Sequence, residues 1–145
     1  MYLCIVYLSR PTNTWPHKQL DTILTEFRQK NKKANVTGML LYGNQQIFQV
    51  LEGAPEVVKS LLQKIADDDR HKDMEVIFDQ LIEDRFFSDW SMAFLPLKQI
   101  DVLDLPGYSR ILIEPIANVI ADDNEVVDLM RMFKKIIQRD AHQHG

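Results

Sequence analysis

A single cysteine, Cys4, stands in 145 residues, so no internal disulfide can staple this chain and no Cys-x-x-Cys redox or zinc motif exists. Glycine is scarce too, at five residues, and none falls in a phosphate-cradling loop of the Walker or dinucleotide kind. His-Glu-x-x-His and Gly-x-Ser-x-Gly are both missing, which removes the usual zinc-protease helix and serine-hydrolase turn. No apolar run approaches a membrane span, and Met1–Leu8 is too short and lacks the basic start of a signal peptide. Positive charge is in deficit. A net charge of -4 has the wrong sign for a nucleic-acid backbone. What remains is a globular composition, 46% hydrophobic and 26% charged, in a length that suits one domain and is expected in the cytoplasm.

The apolar pattern predicts the elements. Tyr2–Leu8 is apolar almost throughout and β-branched or aromatic, as in a central strand covered on both faces, with Arg10-Pro11 closing it. Leu20, Ile23, Leu24 and Phe27 form one helical stripe after Thr14 and Pro16, and polar Gln29–Asn35 ends that helix. Val36–Tyr42 and Gln46–Leu51 read as strands joined at Gly43-Asn44. A second helix begins at Gly53-Ala54-Pro55 with the stripe Val58, Leu61, Leu62, Ile65, and Met74–Ile82 and Trp90–Leu95 read as further strands. The order βαββαββ predicts an α+β, ferredoxin-like fold with a five-stranded mixed sheet and two helices on one face. Tyr2, Cys4, Val6 and Leu8 make the other face apolar as well. A C-terminal helix carrying Val126, Leu129, Met130, Phe133 and Ile137, after the Pro106-Gly107 loop, is expected to cover it.

Gln49 breaks the otherwise buried run Ile47-Phe48-Gln49-Val50-Leu51. A buried carboxamide left unpaired costs about 1–3 kcal/mol per group, so Gln49 either meets a polar partner or faces solvent on a half-exposed strand. Strand parity puts Tyr7 with Leu3 and Ile5, and Trp90 and Met92 with Phe94. If the first, third and fifth strands are close, then Tyr7, Gln49 and either Trp90 or Met92 converge beneath the two helices. Such a phenol–carboxamide pair in an apolar wall can pass an electron and a proton to an oxidising cofactor, although the same residues also read as core packing. Elsewhere, Asp67-Asp68-Asp69 sits where a helix dipole prefers cations, and Arg70-His71 after it could hold a phosphate. Asn31 reads equally as a helix-end residue, and His142 and His144 as a tail or an adventitious metal pair.

Five blocks in order resemble the BLUF family, small blue-light sensors that bind flavin. They are Leu3-Cys4-Ile5-Val6-Tyr7-Leu8-Ser9; Lys30-Asn31 with Asn35-Val36-Thr37-Gly38-Met39-Leu40-Leu41-Tyr42; Phe48-Gln49-Val50-Leu51-Glu52-Gly53; Asp68-Asp69-Arg70-His71; and Phe87-Ser88-Asp89-Trp90-Ser91-Met92. The resemblance spans roughly residues 2–97. It implies a photoreceptor unit at 1–97 that is no enzyme, with 98–145 as a helical extension covering the sheet, forming an oligomer interface, or both.

Carried across, the resemblance implies FAD, with FMN possible, between the first two helices. Tyr7 and Gln49 would be photochemical, and Trp90 and Met92 would relay the signal. Asn31, Lys30, Ile23, Leu40, Phe48, Ile65, Asp68, Arg70 and His71 would bind the flavin. Light would draw an electron and a proton from Tyr7 through Gln49, whose new hydrogen bond shifts absorption to the red. The expected partners are flavin, further copies of the chain and a downstream protein, with neither nucleic acid nor membrane. A flavin-free interaction module is the alternative. An acylphosphatase-type hydrolase would need a glycine loop where Arg10-Pro11 stands, and an RNA-binding domain of this plan would need a basic, aromatic sheet.

Overall fold

The computed structural model describes the backbone of residues 1–144 and the side chains of residues 1–140. Strands β1 (Tyr2–Pro11), β2 (Thr37–Gly43), β3 (Gln46–Gly53), β4 (His71–Ile82) and β5 (Ala93–Pro96) form one sheet in the order β4-β1-β3-β2-β5. β1 pairs antiparallel with β3 and β4, while β2 pairs antiparallel with β3 and parallel with β5, so the sheet is mixed. Helix α1 (His17–Ala34) crosses from β1 to β2, and α2 (Pro55–Ala66) from β3 to β4. The two βαβ units interleave, and both helices lie over the same face.

The apolar stripes hold as the periodicity predicts. Leu20, Ile23, Leu24, Val58 and Ile65 are buried with Leu3, Ile5, Tyr7, Leu40 and Leu51 in one core. α1 runs through its polar last turns and stops at Asn35, whose φ of 55° is the left-handed cap that asparagine tolerates. α2 starts with Pro55 in its first turn, where the missing N–H costs nothing. The hairpin turn lies one residue later than Gly43-Asn44. Asn44 and Gln45 both take positive φ, 50° and 58°, which suits a two-residue turn whose twist matches its strands.

The second core lies on the opposite face. Helix α4 (Asp123–His144) buries Val126, Leu129, Met130, Phe133, Ile136 and Ile137 against Cys4, Val6, Met39, Leu41, Phe48 and Val50. Each such side chain contributes about 1.5–3 kcal/mol when fully buried. Phe48 and Phe133 meet edge to face, with centroids 5.3 Å apart at 81°. Short turns at Leu97–Gln99, Val102–Asp104 and Ser109–Leu112 and the one-turn helix α3 (Ile116–Val119) carry the chain to α4. Within α4 the side chains of His142 and His144 lie outside the described residues. Among the described residues, no helix is long and apolar enough to cross a membrane.

Three boundaries depart from the sequence pattern, and one of them is β4, which begins at His71 and not at Met74. β1 continues through Arg10 and Pro11, which pair with Lys72 and His71. Proline is tolerated there because it sits at a strand end beside a register shift. β5 begins at Ala93, not at Trp90, because Trp90 is irregular and Ser91 and Met92 form a bend after the loop from β4. Buried Glu52 pins that loop: its carboxylate accepts from Phe86 N at 2.8 Å, Phe87 N at 2.7 Å and Thr37 Oγ1 at 2.9 Å. Burial raises the Glu52 pKa, against the lowering effect of those donors and of Arg85.

Candidate functional site

The register across the sheet builds the site. Val76, Tyr7, Gln49, Leu40 and Phe94 stand side by side on β4, β1, β3, β2 and β5. Tyr7 and Gln49 are therefore direct cross-strand partners on the face beneath α1 and α2, each only 1% exposed. The Tyr7 hydroxyl donates to Gln49 Oε1, and Gln49 Nε2 donates to Met92 Sδ at 3.8 Å. The buried carboxamide thus has the polar partner that its place in an apolar strand requires. Burial, reinforced by the charge of Asp68, pushes the Tyr7 phenol well above its ordinary range, so it carries its proton throughout neutral pH.

Above this pair lies a small cavity of about 20 Å³, walled by Trp15, Ile23, Phe27, Leu40, Ile47 and Ile65 as well as Tyr7 and Gln49. Asp68, Arg70 and His71 close its remaining side. It adjoins a groove of about 590 Å³ between α1 and α2, and Phe27, Ile65, Asp68 and Arg70 line both. Lys30, Lys33 and Lys64 surround the outer groove together with Glu56. Arg70 spans the boundary. It holds Asp68 at 2.6 Å and reaches Glu26 of α1 at 3.1 Å, so one guanidinium ties the end of α2 to α1. The Arg70 hydrogen bonds hold the Asp68 carboxyl below its usual range.

The sequence-predicted residues divide three ways. Tyr7, Gln49, Met92, Ile23, Leu40, Ile65, Asp68, Arg70 and His71 meet at the cavity, with Met92 at its Gln49 edge. His71 sits deeper than a phosphate-side position, its ring centroid 6.1 Å from that of Tyr7 and its Nε2 2.6 Å from Ile65 O. Lys30 lies on the outer groove. Asn31 is buried beside the centre, where its carboxamide donates to Ser91 O at 2.6 Å.

Two expectations are overturned. Phe48 cannot touch anything in this cleft, because strand alternation turns it to the α4 face, opposite Gln49. Trp90 and Met92 do not share a face either. Met92 is buried on the helix side, whereas Trp90 is half-buried against the α4-side core near Phe87, centroids 6.5 Å apart. Parity fails because residues 90–92 precede the strand. It is Met92 that meets Gln49.

Several lining residues escaped sequence reasoning. Trp15 stacks on Tyr42 at 5.1 Å, donates its backbone N–H to the Tyr42 hydroxyl at 3.0 Å, and donates from Nε1 to Arg70 O at 3.2 Å. It lies in an irregular segment with no period to mark it. Phe27 was visible as the last member of the α1 stripe, but the stripe alone marks core. Glu26 carried no signal, since only the fold brings it to Arg70.

Comparison with known proteins adds to this geometry. The BLUF family profile, described as sensors of blue-light using FAD, matches residues 2–93. The blue light- and temperature-regulated antirepressor BluF of Escherichia coli (strain K12) is 31% identical over 98 residues, covering 68% of this chain and 24% of that protein. The chain thus spans about a quarter or less of the curated relatives it matches. The dark-state structure of BlrB, a BLUF protein, superposes with a TM-score of 0.76 at 26% identity, covering 92% of this chain and 96% of that one. Klebsiella pneumoniae BlrP1 with FMN and cyclic diGMP superposes with a TM-score of 0.68 at 28% identity, over 95% of this chain and 35% of that one.

Proposed function

This chain belongs to the BLUF family of flavin-binding blue-light sensors, and on that premise we propose that Tyr7 and Gln49 carry its light response and Met92 passes it on. Its cofactor is a flavin, FAD or FMN, and the 145 residues form a photoreceptor unit rather than an enzyme.

The residues suit a flavin. A planar aromatic ring needs flat apolar walls with a hydrogen-bonding edge at one end, and its phosphate tail needs cations. Ile23, Phe27, Leu40 and Ile65 would pack on the ring, and Gln49 would meet its polar edge. Arg70 and Asp68 would bind at the junction with the groove, with Lys30, Lys33 and Lys64 toward the phosphates. Asn31 would bind the ring from the last turns of α1. When bound, the flavin supplies blue-light absorption and, in its excited state, a strong oxidant.

The chain's own residues then do the following. Tyr7 Oη holds a proton aimed at Gln49 Oε1, and its raised pKa keeps that proton in place in the dark. Loss of an electron from the phenol releases the proton along this bond. Gln49 rotates or tautomerises in response, because an amide offers a donor and an acceptor end that can exchange roles. Among the described residues its opposite end is restrained by Met92 alone, and a thioether is a weak acceptor. Rearranging Gln49 therefore costs little and withdraws a donor from Met92. Met92 precedes edge strand β5, which lines a surface cleft with Ile137 and Asp140 of α4, so a local change has a short route to the surface.

The observation that carries this reading is the buried Tyr7–Gln49 hydrogen bond at the foot of the α1–α2 cleft. Absorption spectra of the purified protein, dark and under blue light, test it. The flavin bands shift slightly to the red and recover in darkness, whereas Tyr7→Phe and Gln49→Leu keep flavin and lose the shift. A normal photocycle in either variant refutes the assignment. Output goes to a downstream protein in the cytoplasm, from a homo-oligomer. Exposed Val102, Leu103 and Ile113, at 58%, 85% and 84%, support an interface on the C-terminal extension.

A further inference from the structure

We propose that Arg28 is a positioning residue for the photochemical centre, holding the Met92 main chain so that its thioether stays against Gln49. The inference rests on the roles given above to Gln49 and Met92. Residues 90–92 run as irregular chain before β5, and three successive carbonyls of this segment are held from outside. Trp90 O accepts from Gly38 N at 3.1 Å, Ser91 O from Asn31 Nδ2 at 2.6 Å, and Met92 O from Arg28 Nε at 3.0 Å.

Met92 needs such a tether. Its side chain turns about three rotatable bonds, and among the described residues its one polar contact is the weak acceptance from Gln49 Nε2 at 3.8 Å. Position must therefore come from the main chain. Arg28 supplies the tether next to Met92 itself, and its donor is charged, so the bond is stronger than one between neutral groups. Arg28 is an exposed residue on α1, and Asp89 and Asp140 line the same cleft of about 490 Å³. Yet among the described residues it forms no ion pair. Its Nε is committed to a backbone carbonyl instead. A guanidinium at the cleft surface is thereby one bond from Met92, and Met92 one bond from Gln49.

The test uses flavin-loaded Arg28→Ala, Arg28→Lys, Met92→Ala and the Arg28→Ala/Met92→Ala pair. Dark recovery after blue light and hydrogen exchange at the amides of residues 90–93 are read in each, with urea unfolding as a check on folding. Loss of one charge-assisted bond corresponds to about a tenfold change. Arg28→Ala is expected to slow recovery about tenfold and to speed exchange at 90–93 by a similar factor. Arg28→Lys, which keeps a charged donor, restores part of both. In the Met92→Ala background, removing Arg28 changes recovery no further. Faster exchange with unchanged recovery overturns the proposal, because the bond is then only structural. Unchanged recovery in Arg28→Ala, with Met92→Ala altered, overturns the proposal alone. Wild-type recovery in Met92→Ala overturns the Met92 relay and this inference with it.

Discussion

Replacing Tyr7 by Phe and Gln49 by Leu, singly and together, measures the bond at the heart of the site without any light. Both side chains are 1% exposed, so neither can turn to water when its partner goes. Gln49→Leu strands the Tyr7 hydroxyl, and Tyr7→Phe strands Gln49 Oε1 while Nε2 keeps Met92. Each orphaned group costs about 1–3 kcal/mol. The double variant removes both polar partners and leaves neither orphaned, so its cost falls below the sum of the singles by the two orphaning costs, about 2–6 kcal/mol. At this chain length each kcal/mol lowers Tm by about 2–4 °C, within reach of calorimetry. Urea unfolding of flavin-free protein is the better assay, since ligand adds its own binding free energy to the apparent stability. Single effects that add to the double within about 0.5 kcal/mol would show that the two side chains do not meet, and the site as described would be wrong.

Three other outcomes follow from the same structure. Phe48→Leu loosens the contact with Phe133, lowers stability by about 1 kcal/mol, and leaves flavin content unchanged; a folded variant that loses flavin would return Phe48 to the cofactor cleft. Lys33→Glu with Lys64→Glu weakens FAD by about tenfold at low salt but riboflavin by less than about twofold, because only FAD brings phosphates to the groove mouth; titration calorimetry with both ligands checks this. Asp68 has a depressed pKa in the folded chain, so its contribution to stability is present above the unfolded value of about 3.9 and is lost as pH falls through the folded value. Unfolding midpoints should therefore fall less steeply on acidification in Asp68→Asn than in the parent chain, and equal slopes would remove Asp68 from the account.

Much of this was legible along the chain. The periods of Leu20–Phe27, Val58–Ile65 and Val126–Ile137 name the helices and their buried faces, and the alternation in β1 requires cover on both sides. A lone carboxamide in the run around Gln49 demands a partner, and strand parity makes Tyr7 available. These inferences succeed because they concern one element at a time, where periodicity and hydrogen-bond satisfaction leave few choices. They fail where regular structure stops. Trp90 and Met92 lie in irregular chain before β5, so counting by twos assigns them one face when they occupy two. Phe48 was grouped with its neighbour Gln49 by motif, although parity alone separates them.

Other features belong to the tertiary structure alone. The order β4-β1-β3-β2-β5 sets Tyr7 directly opposite Gln49 and brings Met92 in from the sheet edge. The guanidinium of Arg28 finds the Met92 carbonyl and that of Arg70 the Glu26 carboxylate, both far away in sequence. No local pattern encodes those meetings, because a solvated arginine looks the same in any helix face or loop until the packed sheet fixes what lies within reach of it.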